Sequence, residues 1–246
     1  AGRLGRRHLA PLVLVNLGVG MHAMIWYMAS TVMPSVVQDL GSADSISWAT
    51  TVYLVTTILG AVAMAGAKAR FGAWWAMVGA SVIVALGSLA AALAPSILLV
   101  LVGRALQGLG EGVLVALSYA LVRELFTNAQ VPRVFGIQAA TWGITIFLGP
   151  LVGGWLTEVS SWRAAFIATA LLPVPMLAMG ARILRAHPRS DARVLPAPWW
   201  RLIMLTLGVL AIGAADRPPQ PALGALLVLG GVALIAVVMQ LDKRRV

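Results

Sequence analysis

Long apolar runs, separated by short polar or basic stretches, set the pattern of this chain. Eight of them, at 10–33, 48–66, 74–93, 97–121, 134–157, 164–184, 199–214 and 222–240, have about the length that crosses a membrane. A hydrocarbon core of ~30 Å needs about 20 helical residues, so each run predicts a spanning helix. The predicted fold class is all-α transmembrane. The first run is too long, and too well followed by further spans, to be a cleaved signal peptide. The stretch 185–198 is polar and carries Pro188, Pro196 and Pro198, which oppose a continuous helix. It predicts a linker between a six-helix unit (1–184) and a segment of two further helices with a basic tail (199–246).

Composition agrees. The 246 residues are 60% hydrophobic and only 11% charged, whereas soluble domains carry about 25% charged residues. No cysteine is present, which excludes disulfides, thiol metal sites and thiol nucleophiles. No HExxH, GxxxxGK[ST] or paired-carboxylate arrangement occurs, so hydrolysis, ATP use and glycosidase chemistry find no support. The expectation is a protein that is not an enzyme and holds no metal or cofactor.

The net charge of +10 raises nucleic acid as a partner, but the basic residues sit in short clusters with no aromatic interleaving to stack bases. Membrane topology explains them better. With a cytoplasmic N-terminus, fifteen of the eighteen basic residues fall on the inner side, among them Lys68, Arg70, Arg123, Arg133, Arg182 and Arg185. The outer segments keep Arg163 and Arg217 together with Asp39, Asp44, Glu158 and Asp216. The positive-inside rule therefore predicts that both termini are cytoplasmic. Trp48, Trp74, Trp75, Trp162, Trp199 and Trp200 fall at predicted helix ends, where indoles favour the membrane interface.

Two charges break the apolar pattern. Arg104 and Glu111 lie inside the fourth run, seven residues apart and thus on one helix face about 10.5 Å apart along the axis. An intramembrane charge costs about 2.5–3.5 kcal/mol on insertion scales and marks a functional site by default. The separation exceeds a relaxed direct contact, so each charge needs another partner. His22 is a further intramembrane titratable group, since an imidazole titrates near neutrality. Trp26, Tyr27, Gln107, Gln138 and Trp142 are candidates to line a small-molecule cavity, aromatic faces being attractive to cations.

The local motifs are more specific. The fourth helix reads Arg104-Ala-Leu-Gln107-Gly108-Leu-Gly110-Glu111-Gly112, and the fifth carries Gly143 and then Gly149-Pro150-Leu-Val-Gly153-Gly154. The second opens Trp48-Ala-Thr-Thr51-Val-Tyr53-Leu54, and Ser161-Trp162-Arg163-Ala-Ala-Phe166 precedes the sixth. Together these resemble the major facilitator superfamily, specifically the N-terminal half plus linker helices of its 14-helix drug:proton antiporter branch. The resemblance implies a six-helix N-terminal bundle followed by two extra helices in a bacterial-type cytoplasmic (inner) membrane. It implies proton-coupled export of small amphiphilic compounds by alternating access, with Arg104 in proton coupling; Glu111 and His22 are this chain's own titrating candidates beside it. Gly143, Gly149, Pro150, Gly153 and Gly154 match the family's helix-bending motif; close packing is the alternative role for the glycines.

Departures are as informative. The family's first helix ends near a proline matched by Val32-Met33-Pro34, and its aspartate position holds Ile25 here. The loop after helix two keeps Arg70 and Gly72 but has Ala69 at the acidic position. Two readings follow. One is a transporter half completed by a missing C-terminal six-helix half or a partner membrane subunit. The other is a non-transporting accessory or scaffold subunit of a larger membrane complex. Membrane lipid is a partner in both.

Overall fold

The computed structural model describes residues 8–41, 45–185 and 221–243, together with Trp200, Met204, Leu207, Gly208 and Ala211. The seventh predicted helix, the linker at 185–198 and both chain ends lie almost wholly outside the described residues. Among these residues the secondary structure is helical throughout: α1 (Leu9–Leu40), α2 (Ser45–Ala92), α3 (Ile97–Leu125), α4 (Val131–Val159), α5 (Trp162–Leu171), α6 (Pro173–Ile183) and α7 (Pro221–Lys243).

Helix boundaries follow local chemistry. Pro95 cannot continue a helix, and α3 starts after Ser96 in extended conformation. α1 runs seven residues past its predicted end, through Pro34, and stops at Gly41, whose φ of 75° leaves helical space. The second and third predicted spans are one continuous run in the structure, α2. At 48 residues it would be about 72 Å long if straight, more than twice a hydrocarbon core. Gly72 (φ 84°, ψ 162°) breaks it into two arms, 45–71 and 73–92. The sixth predicted span is also divided. Pro173 lacks the N–H that would bond Thr169, so α5 ends at Leu171 and α6 starts at the proline.

The arms of α2 take opposite directions. A Cβ at Gly110 would lie 2.6 Å from the Ala80 carbonyl oxygen, and one at Gly103 would lie 2.6 Å from that of Gly87. The second arm thus runs antiparallel to α3. A Cβ on Gly108 would collide with Tyr53 and Thr56, and one on Gly112 with Thr57. The first arm thus runs parallel to α3, and the arms fold into a hairpin around it. α1 packs chiefly on α4 and next on α3, with α5 and α6 beside it. With α5 and α6 taken together as one span (Trp162–Ile183), five described helices are long and apolar enough to cross a membrane, and the division of α2 gives six such lengths.

Two apolar clusters fill the interior. One gathers Leu14, Val15, Leu121, Val122, Phe126, Met176 and Leu184 toward the end where the α2 arms join. The other gathers Met28, Val32, Val36, Ala91, Val100, Trp162 and Phe166 toward the opposite end. Ile25 is fully buried in the first, where an apolar side chain needs no partner. Polar side chains occupy the level between Val100 and Val113 of α3.

Candidate functional site

That polar level starts on α3. Arg104, Gln107 and Glu111 recur at spacings of three and four, so one helix face carries all three into the bundle. All are buried. The glycines at 103, 108, 110 and 112 let the α2 arms approach α3 closely enough to seal them in.

Arg104 and Glu111 find separate partners. Arg104 Nη1 donates to Gln107 Oε1 at 2.7 Å, and its guanidinium stacks 4.0 Å from the centre of the Tyr53 ring. Gln107 Nε2 donates to Ser88 Oγ at 2.7 Å and lies 3.3 Å from Thr169 Oγ1. Thr169 Oγ1 is in turn 3.2 Å from Ser88 Oγ. The network joins α3, the second arm of α2 and α5. It places Gln107 in the packed interior, away from any open surface.

Glu111 sits differently. Its Oε2 lies 3.4 Å from His22 Nδ1, yet neither carboxylate oxygen receives a hydrogen bond within the protein. Tyr53 Oη meets the same His22 Nδ1 at 3.0 Å. One ring nitrogen therefore serves two neighbours. Unprotonated, it accepts from the Tyr53 hydroxyl; carrying hydrogen, it donates toward Glu111. The chain of contacts reads Gln107, Arg104, Tyr53, His22, Glu111.

Aromatic rings complete the setting. His22 stacks on Tyr53 at 6.0 Å and meets Trp142 edge-on at 5.8 Å. Trp26 lies 5.5 Å from Tyr53, and Tyr27 lies 6.3 Å from Trp142. Trp26, Tyr27 and Trp142 are half-buried, and the His22 side chain keeps 14% of its surface. Four of the five cavity candidates face α1: Trp26 and Tyr27 belong to it, Trp142 touches it, and Gln138 lies 3.4 Å from the Val15 carbonyl oxygen. Gln138 is buried there, with its own Oε1 unpartnered.

The fifth-helix motif divides. A Cβ at Gly149 would lie 2.5 Å from Tyr27 Cβ, and one at Gly153 would lie 3.3 Å from Met28 Cα and from the Met28 carbonyl oxygen. These two glycines bring α4 onto α1. Gly143 and Gly154 face open space, and Pro150 lies inside the helix, where it removes one backbone hydrogen bond. Toward the other end of α1 the seam opens into a cleft of about 410 Å3, lined mostly by apolar side chains with Asn16, Thr141 and Thr145.

Both bundle ends carry charge pairs. Lys68 pairs with Glu124 where the α2 arms join, and at the opposite end Asp39 accepts from Arg163 Nη1 at 2.8 Å and Trp162 Nε1 at 3.1 Å. The acid missing at position 69 is thus accompanied by a different tie, from Lys68 to the end of α3.

Residues 15–241 match the Major Facilitator Superfamily. The chain belongs to that family. It is similar to a probable multidrug-efflux transporter of Mycobacterium tuberculosis, 29% identical over 246 residues, covering 97% of this chain and 52% of that protein. It is also similar to the multidrug transporter protein MdtP of Bacillus subtilis, 29% identical over 178 residues, 71% of this chain and 32% of that one. The chain spans about half the length of the Mycobacterium relative. Among solved structures, the POT family transporter PepTSo aligns with a TM-score of 0.65 at 13% identity, covering 98% of this chain and 55% of that one. A D-xylose-proton symporter aligns at 0.63 and 15%, covering 95% of this chain and 69% of that one. At those identities the likeness is one of fold.

Tyr53, Ser88 and Thr169 are site residues that sequence reasoning missed. Tyr53 stands inside the helix-two motif and carried a signal; Ser88 and Thr169 are isolated hydroxyls in apolar helices and carried none.

Proposed function

We propose that this chain is the N-terminal half of a secondary active transporter that exports small amphiphilic compounds in exchange for protons by alternating access. Family membership and relatives named as multidrug transporters support the transport reading. Both termini are cytoplasmic, in a cytoplasmic (inner) membrane, and a second six-helix half completes the substrate cavity. Trp26, Tyr27 and Trp142 form this half's wall for the apolar or cationic part of the substrate.

One observation carries the coupling: Glu111 is fully buried without a hydrogen-bond donor, and its neighbour His22 reaches the surface. An uncompensated buried carboxylate is costly, so Glu111 holds a proton or faces a protonated His22. A proton arriving at His22 breaks the acceptance from Tyr53 and passes to Glu111. Arg104, held by Gln107 and Tyr53, supplies the fixed positive charge that the exchange works against. Gly149, Pro150 and Gly153 let α4 shift on α1 as the bundle rocks.

Glu111→Gln, introduced in the native gene, abolishes proton-coupled efflux of a fluorescent amphiphilic cation while protein level in the membrane stays unchanged. Coupled efflux at the wild-type rate in that variant sinks the assignment. An accessory role is the second reading, favoured by Ile25 and Ala69 standing where the family carries acids. Loss of the host complex on deletion of the gene, without loss of efflux, decides for it.

A further inference from the structure

A second concavity lies where the α2 arms join. It measures about 390 Å3, within the range of about 300–1,000 Å3 usual for small-ligand sites, and is lined by Phe71, Gly72, Ala73, Trp74, Trp75, Leu184 and Arg185. The Arg185 guanidinium lies 4.8 Å from the centre of the Trp74 ring, and that of Arg70 lies 5.5 Å from the Phe71 ring. Phe71 and Trp75 expose 51% and 61% of their surface. No carboxylate lines the groove among the described residues, and Glu124, at the same end of the bundle, is already paired with Lys68.

Among the described residues the side-chain charge lining the groove is therefore positive, and the exposed Trp75 indole is of the kind that sits at headgroup level. We propose that this groove binds the phosphodiester headgroup of an anionic phospholipid. Arg185 takes the phosphate from its place against Trp74, and Phe71 and Trp75 lie along the glycerol and upper acyl chains. Arginine suits this role because its planar guanidinium keeps donors available while stacked on a ring. The site is separate from the Glu111 level and stands or falls independently of transport.

Native mass spectrometry of the purified, delipidated chain, titrated with phosphatidylglycerol or phosphatidylcholine, tests it. The wild type retains phosphatidylglycerol about fivefold better, the effect of about one basic residue near a membrane surface. Arg185→Gln brings the two lipids to parity, and Arg185→Lys, which keeps charge without the planar stack, falls between. Arg123→Gln, which removes a charge outside the groove, leaves the preference intact. An unchanged preference in Arg185→Gln, or an equal loss in Arg123→Gln, overturns the site in favour of diffuse surface charge. Glycerol 3-phosphate binding as tightly as the lipid overturns the lipid assignment in favour of a soluble phosphate.

Discussion

The seam of α3 with α2 and the seam of α1 with α4 are the two most extensive in the bundle, and they are built in opposite styles. α3 is clasped by the two arms of α2, with glycines on two of its faces and backbone against backbone. α1 meets α4 unevenly: it is close at Gly149, Gly153 and Gly20 and tied by the Thr141–Asn16 and Gln138–Val15 hydrogen bonds, but beside these its seam opens into the 410 Å3 cleft. The tight unit holds Arg104, Gln107 and Glu111 at fixed spacing. The loose unit supplies His22, Trp26, Tyr27 and Trp142, the half-buried groups. The contact between Glu111 and His22 crosses from one unit to the other, so the charged group is rigidly presented while its partner sits on the more adaptable wall. Such a division suits a site that must change partners, because packed interiors move between discrete arrangements rather than deforming continuously.

Substitution in the tight unit has the largest expected effect. Gly112→Ala puts a methyl group against the Thr57 carbonyl oxygen and the Ala61 amide, backbone atoms that cannot rotate away. Overpacking of this kind costs about 3 kcal/mol. For a chain of this size that lowers Tm by about 6–12 °C, measured in detergent by thermal unfolding. A change within 1 °C breaks the comparison, because α3 would then not be tightly clasped.

Gly149→Ala has a smaller cost. Its methyl group meets Tyr27 Cβ at 2.5 Å and the Met28 amide nitrogen at 3.3 Å, atoms fixed to the α1 backbone, so α1 itself must shift. The shift needed is shared along the seam, whereas the propensity gain of alanine over glycine is the same at both positions. A net loss of about 1 kcal/mol, or about 2–4 °C in Tm, is expected. If the loss equals that of Gly112→Ala, the two seams are equally rigid.

Much of this comparison was legible in the sequence, and the reasons for the remainder are physical. The crossings were legible because spanning a membrane imposes a length on apolar runs, and Arg104 and Glu111 because charge in such a run is rare. Their partners were not. Tyr53 stands in the helix-two motif, but nothing in that motif names its partner until packing lays Arg104 on its ring. Hydroxyls such as Thr169 bond their own helix backbone in most apolar segments, as Thr169 also does with Phe166, so no spacing marks it as a link to Gln107. The break at Leu172 was masked by a continuous apolar run, although Pro173 supplied its cause. The fifth-helix glycines read as one motif, yet a linear pattern cannot tell a glycine that touches a neighbour from one that faces outward.

The smallest predicted effect tests that last distinction. Gly154 lies one residue beyond Gly153, on the same helix and in the same motif, but no atom stands within 4 Å of a Cβ placed on it. If the motif acts as a bending unit whose glycines all matter alike, Gly154→Ala and Gly149→Ala should impair efflux equally. If contact decides, the substitution removes only backbone freedom from a half-buried helix position with open space at its Cβ. The structure favours contact: Gly154→Ala should raise stability by about 0.5–1 kcal/mol, the ordinary gain of alanine over glycine in a helix, and leave efflux within twofold of wild type. A parallel melt and efflux assay of the 149 and 154 variants separates the outcomes, and equal impairment would mean that α4 must bend at 154 or meet a second half there.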